Sequence, residues 1–269
     1  MRRYHLISCI KYDMVRVLTS IQFYTGVIGF VCIHLFNIIP ELSITNSSPV
    51  LYYFSNRTGI GAFEMILLFC MALIYSTSFC TDWNQGYYKY SIIRQTKSSY
   101  ICSKVIVTVL STFIACMIGY IVYLVILSFF RPLFPGNAEE WQYYIEGSGA
   151  AFAEILASRM PILYYIVDIL PEAFMYAFLS VFALYISTKS TNIFIVLSSP
   201  IIFYYVYNYL SGTFKFPYIM LWQFMDQGVL FWESWYLNII ATFLYYLIGI
   251  LLMGYLFSKG VKRRIEDRK

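Results

Sequence analysis

The sequence predicts an all-α membrane protein that crosses the bilayer six times. Of its 269 residues, 60% are hydrophobic and only 12% are charged, whereas soluble domains have about 45–50% and about 25%. Several apolar runs are about 20 residues long, the length that a helix needs to cross about 30 Å of hydrocarbon. The runs lack the alternation of apolar and polar residues that marks a membrane β-barrel. We therefore interpret residues 1–269 as one transmembrane domain.

Residues 1–20 precede the first apolar run and are predicted to form an amphipathic helix on the inner leaflet. Leu6, Ile10, Met14 and Val17 recur at spacings of three and four, which places them close together on a helix. Such a helix lies in the membrane interface. A cleaved signal peptide is the alternative, but the next apolar run is too long and ends without a small-residue cleavage site.

Six apolar runs follow, and we expect helices because a backbone without hydrogen-bond partners is too costly in lipid. The predicted spans are 21–40, 60–80, 104–130, 162–187, 192–210 and 236–257. The fourth has two candidate starts: residue 162, or Pro171, since proline suits a first helical turn. Pro200 predicts a kink in the fifth.

Two further segments lie between spans on the predicted outer side. The outer loop 131–161 is long enough to carry a short helix at 150–159. The segment 211–235 is too aromatic for an aqueous loop and is broken by glycines and a proline, so short external or re-entrant helices are predicted there.

The distribution of cations predicts that both termini are cytoplasmic. With the N-terminus inside, only Arg57, Arg131, Arg159 and Lys215 of the 19 lysines and arginines fall outside. The net charge of +5 then reflects topology and contact with anionic lipid rather than nucleic-acid binding. We expect a multi-pass protein of the cell membrane, in bacteria the plasma membrane.

The residues that chemistry most often uses are sparse in this chain. None of the six cysteines falls in a predicted outer loop, so we expect no structural disulfide. The sequence has no G-x-x-x-x-G-K-[ST] phosphate loop, no H-E-x-x-H and no G-x-S-x-G. The prediction is a chain without enzymatic activity, metal or cofactor of its own.

The segment 81–104 between spans two and three is a long polar and cationic interruption. Gly86 can end the emerging helix, and residues 90–96 can form a brief amphipathic turn parallel to the membrane. Its apolar side suits a groove on a partner, with the cations facing acidic surface or lipid headgroups. A plain intracellular connection that obeys the positive-inside rule is the alternative.

In this segment an acidic residue and a glycine follow span two, and a basic residue lies seven positions before a lysine at the start of span three. This pattern resembles the loop after the second span of ABC-2 type transporter permeases. Asp82, Gly86, Ile93, Lys97 and Lys104 take those places. The chain departs from the pattern where Asp82 replaces the commoner glutamate and Lys97 the usual arginine.

The resemblance covers the whole chain and implies a function. The N-terminal helix would be an elbow helix, 81–104 would contain a coupling helix that contacts an ATP-binding cassette ATPase, and two permease subunits would enclose the path. ATP and Mg²⁺ would bind to the ATPase. The predicted activity is export of a peptide, an antimicrobial or another amphipathic molecule by alternating access. The predicted coupling residues are Asp82, Gly86, Tyr90, Ile93, Lys97 and Lys104.

Three acidic residues inside the predicted spans are candidates for the transport path: Glu64, Asp168 and Glu172. Ionisable groups in lipid are costly unless they line an aqueous path or find a partner. Asp168 and Glu172 are four residues apart and share a helix face. The same three residues would be the polar centre in a second interpretation, an intramembrane enzyme or a stand-alone membrane assembly factor.

Overall fold

The computed structural model describes residues 6–44, 48–55, 57, 62–147, 152–158, 160–214, 220–221 and 234–267. These residues form helices and contain no β-strand. Five of the described helices are long and apolar enough to cross a membrane, or six if one bent pair forms a single span. In chain order the helices are α1 (Leu6–Leu18), α2 (Ile21–Ile44), α3 (Val50–Ser55), α4 (Ala62–Leu73), α5 (Ser78–Asn84), α6 (Tyr87–Arg94), α7 (Lys97–Ser128), α8 (Ala138–Gln142), α9 (Ala153–Ala157), α10 (Pro161–Ile186), α11 (Ile193–Thr213) and α12 (Trp235–Glu266).

Four predicted spans begin within one residue of a helix in the structure, namely those that correspond to α2, α10, α11 and α12. The fourth span begins at Pro161 and runs unbroken through Pro171 to Ile186. The helix therefore starts near residue 162, and a helix start at Pro171 is wrong. Asn192 fixes the beginning of α11, because its side-chain oxygen accepts a 2.9 Å hydrogen bond from the Phe194 amide.

The second and third spans differ from the prediction. Residues 60–80 are not one straight helix: α4 and α5 meet at a bend of 53° across a turn at 74–77. The helix that contains the third span, α7, begins at Lys97, seven residues before the predicted start of the span at Lys104. Thr96 caps this helix by accepting a 3.0 Å hydrogen bond from the Ser99 amide, so helix formation starts well before the apolar run.

The helices pack around α10, which is the most buried of the long ones. It contacts α4, α7, α11 and α12, while α2 packs on α4 and α7 and α1 lies along α7. Tyrosine and phenylalanine side chains fill much of this core. By contrast, α12 exposes a long row of apolar side chains, the surface that a lipid-facing helix presents.

The shorter elements correspond to the predictions in part. The predicted outer loop between α7 and α10 contains three short elements: α8, a π-helical turn at Tyr143–Gly147, and α9. The helix α9 lies within residues 150–159, where a short helix is predicted. The amphipathic turn predicted for 90–96 is the helix α6, which begins and ends earlier, at Tyr87 and Arg94. The helices predicted within 211–235 lie mostly outside the described residues.

Candidate functional site

The helix α1 carries an acidic residue into the protein. Cys9, Asp13 and Val17, at spacings of four, are buried, and α1 packs along α7. Ile7 and Val15 on the other side are exposed. The exposed side also carries Lys11, and Ile10 and Met14 of the predicted apolar face pack on the core. The buried side brings Asp13 next to the start of α7.

Four charged residues meet there, and we call Asp13, Arg16, Asp82 and Lys104 the Lys104 cluster. The Lys104 side chain is 1% exposed. Its Nζ lies 2.9 Å from Asp82 Oδ2 and 3.4 Å from Asp13 Oδ1, and it donates a 2.7 Å hydrogen bond to the Tyr75 hydroxyl. The three protons of one ammonium group thus have partners on α1, α5 and the turn between α4 and α5.

The two acids of the Lys104 cluster have further donors. Arg16 Nη1 donates to Asp82 Oδ1 over 2.8 Å, and the Tyr100 hydroxyl donates to Asp82 Oδ2 over 3.0 Å. Ser103 donates to Asp13. Burial lowers the pKa of Arg16 while the Asp82 carboxylate raises it, and the net shift is upward. The cluster therefore has two acids and two bases in direct contact, so its charges balance.

The helix α6 is fixed on one side and exposed on the other. Gly86 precedes it with φ +71° and ψ 4°, a left-handed conformation that glycine adopts without strain. Tyr88 is buried and stacks on Trp83, with ring centroids 4.3 Å apart. On the opposite side Tyr90 and Ile93 are 65% and 63% exposed. Cationic residues border them, and all of these are exposed: Lys89, Arg94 and Lys97.

A groove of about 240 Å³ separates α1 from α6. Its walls include Asp13, Asp82 and Lys104 of the Lys104 cluster, and Tyr90 and Arg94 of α6. Tyr12 and Tyr87 approach across it, with their hydroxyl oxygens 3.3 Å apart. The groove leaves α6 attached mainly through α5 and the start of α7.

A second buried group of charges lies between α7 and α10, and we call Arg57, Asp168 and Glu172 the Arg57 cluster. The Arg57 side chain is 4% exposed. It forms an ion pair with Asp168 through Nη1, and its Nη2 lies 3.3 Å from Glu172 Oε2. The guanidinium also lies over the Phe54 ring of α3, 4.2 Å from its centroid.

Two tyrosines complete the surroundings of Glu172. The Tyr120 hydroxyl donates to Oε2 and accepts a 3.2 Å hydrogen bond from Arg57 Nε. The Tyr176 hydroxyl donates to Oε1 over 2.9 Å. Both oxygens of Glu172 are therefore occupied, deep inside the helices.

The structure brings some predicted residues together and separates others. Asp82 and Lys104 meet in the Lys104 cluster, whereas Tyr90, Ile93 and Lys97 lie on the surface. Asp168 and Glu172 share one site as predicted, but Glu64 belongs elsewhere, because it hydrogen-bonds with Tyr204 of α11.

Sequence reasoning missed Asp13, Arg16 and Arg57 as partners of the predicted site residues. The one feature of the sequence that could have identified these three residues is that each is charged and lies beside a strongly apolar segment.

Comparison with protein-family models, with curated proteins and with solved structures finds no match for this chain. Among the residues that the structure describes, no group of three His, Cys, Asp or Glu side chains could hold a metal ion. All six cysteines are free thiols. The helices fit a multi-pass membrane protein, and further functional argument rests on the two clusters and on α6.

Proposed function

We propose that the chain is the membrane-spanning subunit of an ATP-driven transporter and that α6 is the helix that docks to its ATPase. The observation that carries this proposal is the surface of α6. Tyr90 and Ile93 form a small apolar patch on a helix whose other side is buried. A patch of this size with a cationic border suits a shallow apolar groove with acidic edges.

The contacts of α6 support a role in transmitting movement. Trp83, on which Tyr88 stacks, lies under Arg264 of α12, whose guanidinium carbon is 4.5 Å from the ring centroid. Arg264 also donates a 2.8 Å hydrogen bond to the Ser187 carbonyl just after α10. A displacement of α6 would thus reach α10 and α12 through packed side chains.

In this proposal the Lys104 cluster positions the docking helix and does not touch the ATPase. Asp82 and Lys104 are buried and paired with each other, so they hold α5 against α1 and α7. Gly86 then sets the direction in which α6 leaves α5. The contact itself falls to Tyr90, Ile93 and Lys97.

The remaining parts of the proposal follow from the resemblance and the charge pattern. ATP and Mg²⁺ bind to the ATPase subunit, two permease subunits enclose the path, and both termini face the cytoplasm. Asp168 and Glu172 are the candidate path residues of this chain. Arg57 occupies both of them here, so a cationic group on the cargo would have to compete with Arg57. We propose export of a peptide, an antimicrobial or another amphipathic molecule.

A photo-crosslinking amino acid at position 93 tests the docking helix in native membranes. We expect an adduct with a polypeptide that contains the G-x-x-x-x-G-K-[ST] phosphate loop. Ile248 on α12 is the matched control, because it is 66% exposed but lies on the apolar surface of a membrane-spanning helix. Position 248 should react with lipid or another permease subunit and give no ATPase adduct.

The variant Ile93→Asp adds a quantitative measurement. Charge in the apolar patch should lower the amount of co-purified ATPase at least about tenfold, while the folded fraction of the chain stays unchanged. Crosslinks to no ATPase, together with full activity of the isolated chain, would overturn the proposal. That result would favour an intramembrane enzyme or assembly factor.

A further inference from the structure

The Arg57 cluster contains two acids but only one base. Asp168 and Glu172 are both within ion-pair distance of one guanidinium, and no other Lys or Arg of the described residues pairs with either of them. With both acids ionised, the cluster would carry a net charge of −1. Glu172 is 1% exposed and lies about 16 Å along the axis from the start of α10, where an uncompensated charge is very costly.

Hydrogen bonding distinguishes the two acids. Glu172 receives Arg57 and Tyr120 on Oε2 and Tyr176 on Oε1, an arrangement that stabilises an ionised carboxylate. Asp168 receives Arg57 on Oδ2, and no described residue donates to its Oδ1. The Asp168 side chain is also the more exposed of the two, at 10% against 1%. An added proton therefore fits best on Asp168.

A buried imidazole faces the same site. His34 is 1% exposed, and its ring lies 5.1 Å from that of Tyr120 between ring centroids. Its ring lies against the Arg57 backbone, and neither nitrogen has a close hydrogen-bond partner among the described residues. His34 is therefore a further buried polar group beside the Arg57 cluster.

We propose that the Arg57 cluster binds one exchangeable proton, held as a neutral carboxylic acid on Asp168. Uptake converts one carboxylate to a carboxyl group and changes the cluster charge from −1 to zero; release returns the proton to water. Arg57 then has a single ionic partner, Glu172. Among the described residues, the titratable and charged groups that face the site are Arg57, Glu172, His34, Cys116, Tyr120, Tyr123, Tyr164 and Tyr176, with Glu64 beyond Tyr176 and Glu41 beyond Tyr123.

The proposal does not depend on the ATPase, because every group belongs to this chain. Infrared spectroscopy of the full chain in lipid nanodiscs at neutral pH counts protonated carboxyl groups by their C=O stretching band. Charge balance predicts how many protonated carboxyl groups each variant contains. Relative to the wild type, Asp168→Asn and Glu172→Gln should each remove one protonated carboxyl, since either change leaves one acid for one base. Arg57→Gln should add one, because both acids must then be neutral.

Two controls separate the cluster from other acids. Glu139→Gln, at an exposed position of α8, should leave the band unchanged. Glu64→Gln should leave in place the component that Asp168→Asn removes. Exchange into D₂O should shift that component if the proton is exchangeable. Should Arg57→Gln fail to fold, the other two variants still decide the question. Asp168→Asn and Glu172→Gln both lose the band if the cluster holds a proton, and neither changes the spectrum if both acids are ionised.

Three results would overturn the proposal. The first is a wild-type spectrum without a protonated carboxyl that Asp168→Asn removes. The second is loss of the band in Asp168→Asn but not in Glu172→Gln, because a cluster governed by charge balance must respond equally to both. The third is a band that appears only when Na⁺ and K⁺ are removed, which would make the bound species a metal cation.

Discussion

The Lys104 cluster and the Arg57 cluster are both buried groups of acids and bases, but their charge counts differ. The Lys104 cluster pairs Asp13 and Asp82 with Arg16 and Lys104. The Arg57 cluster sets two acids against one guanidinium. The difference indicates different roles. A balanced cluster stabilises one arrangement of helices, whereas an unbalanced one is costly to bury, which is the basis for the proton site that we propose.

The two clusters also differ in what they connect. The Lys104 cluster joins α1, α5 and α7 next to the exposed helix α6. The Arg57 cluster joins the segment after α3 to α7 and α10, and its acids are candidates for the transport path. In the proposed function, the balanced cluster positions α6, and the unbalanced cluster is the one that changes when a proton binds.

The largest expected effect is that of Lys104→Met. Removing the ammonium leaves Asp13 and Asp82 buried without their shared cation, which should lower the free energy of unfolding by about 3–5 kcal/mol. Denaturant unfolding of the purified chain, followed by circular dichroism, measures this loss. Lys97→Met, on the exposed first turn of α7, is the control and should stay within about 0.5 kcal/mol of the wild type. Equal effects of the two variants would show that Lys104 does not stabilise the fold.

Neutralising one acid in each cluster compares them directly. Asp82→Asn leaves excess positive charge on Lys104 and Arg16 and should cost about 3 kcal/mol. Asp168→Asn leaves one acid for one base and should cost at most about 1 kcal/mol, since an amide oxygen can still accept from Arg57. The same unfolding measurement at neutral pH gives both values. Losses of similar size in the two variants would remove the distinction between the clusters.

The long helices could be predicted from the sequence because hydropathy and length determine which runs can cross a membrane. The errors occurred where a local contact overrides hydropathy. A hydroxyl cap at Thr96 starts α7 seven residues before Lys104, and the turn at 74–77 divides the second span. Neither the cap nor the turn changes the mean hydropathy of a 20-residue window, so hydropathy alone could not locate them.

The candidate site could be predicted only in part. Asp168 and Glu172 were identified together because helix geometry places residues four apart on one face. Arg57 was assigned to an outer loop, because the positive-inside rule counts cations and cannot detect one that is buried by its partners. Lys104 pairs with Asp13 across 91 residues of sequence, and no spacing rule covers such a pair. Tertiary contacts alone reveal the charge balance of each cluster.

The smallest expected effect concerns the connection between the Lys104 cluster and α6, the proposed docking helix. Gly86→Ala puts a β-carbon on a left-handed residue and should cost about 1 kcal/mol, although no atom lies within 4 Å of the new carbon. Gly86→Asn should cost less, because asparagine tolerates this conformation. Gly136→Ala is the control, as it also meets open space but has no positive φ. If unfolding measurements show a larger loss of stability for Gly86→Ala than for Gly86→Asn, and almost none for Gly136→Ala, the loss comes from backbone strain. If Gly86→Ala also lowered ATPase co-purification while Lys104 stayed buried, the direction of α6 would matter for docking separately from the cluster that anchors it.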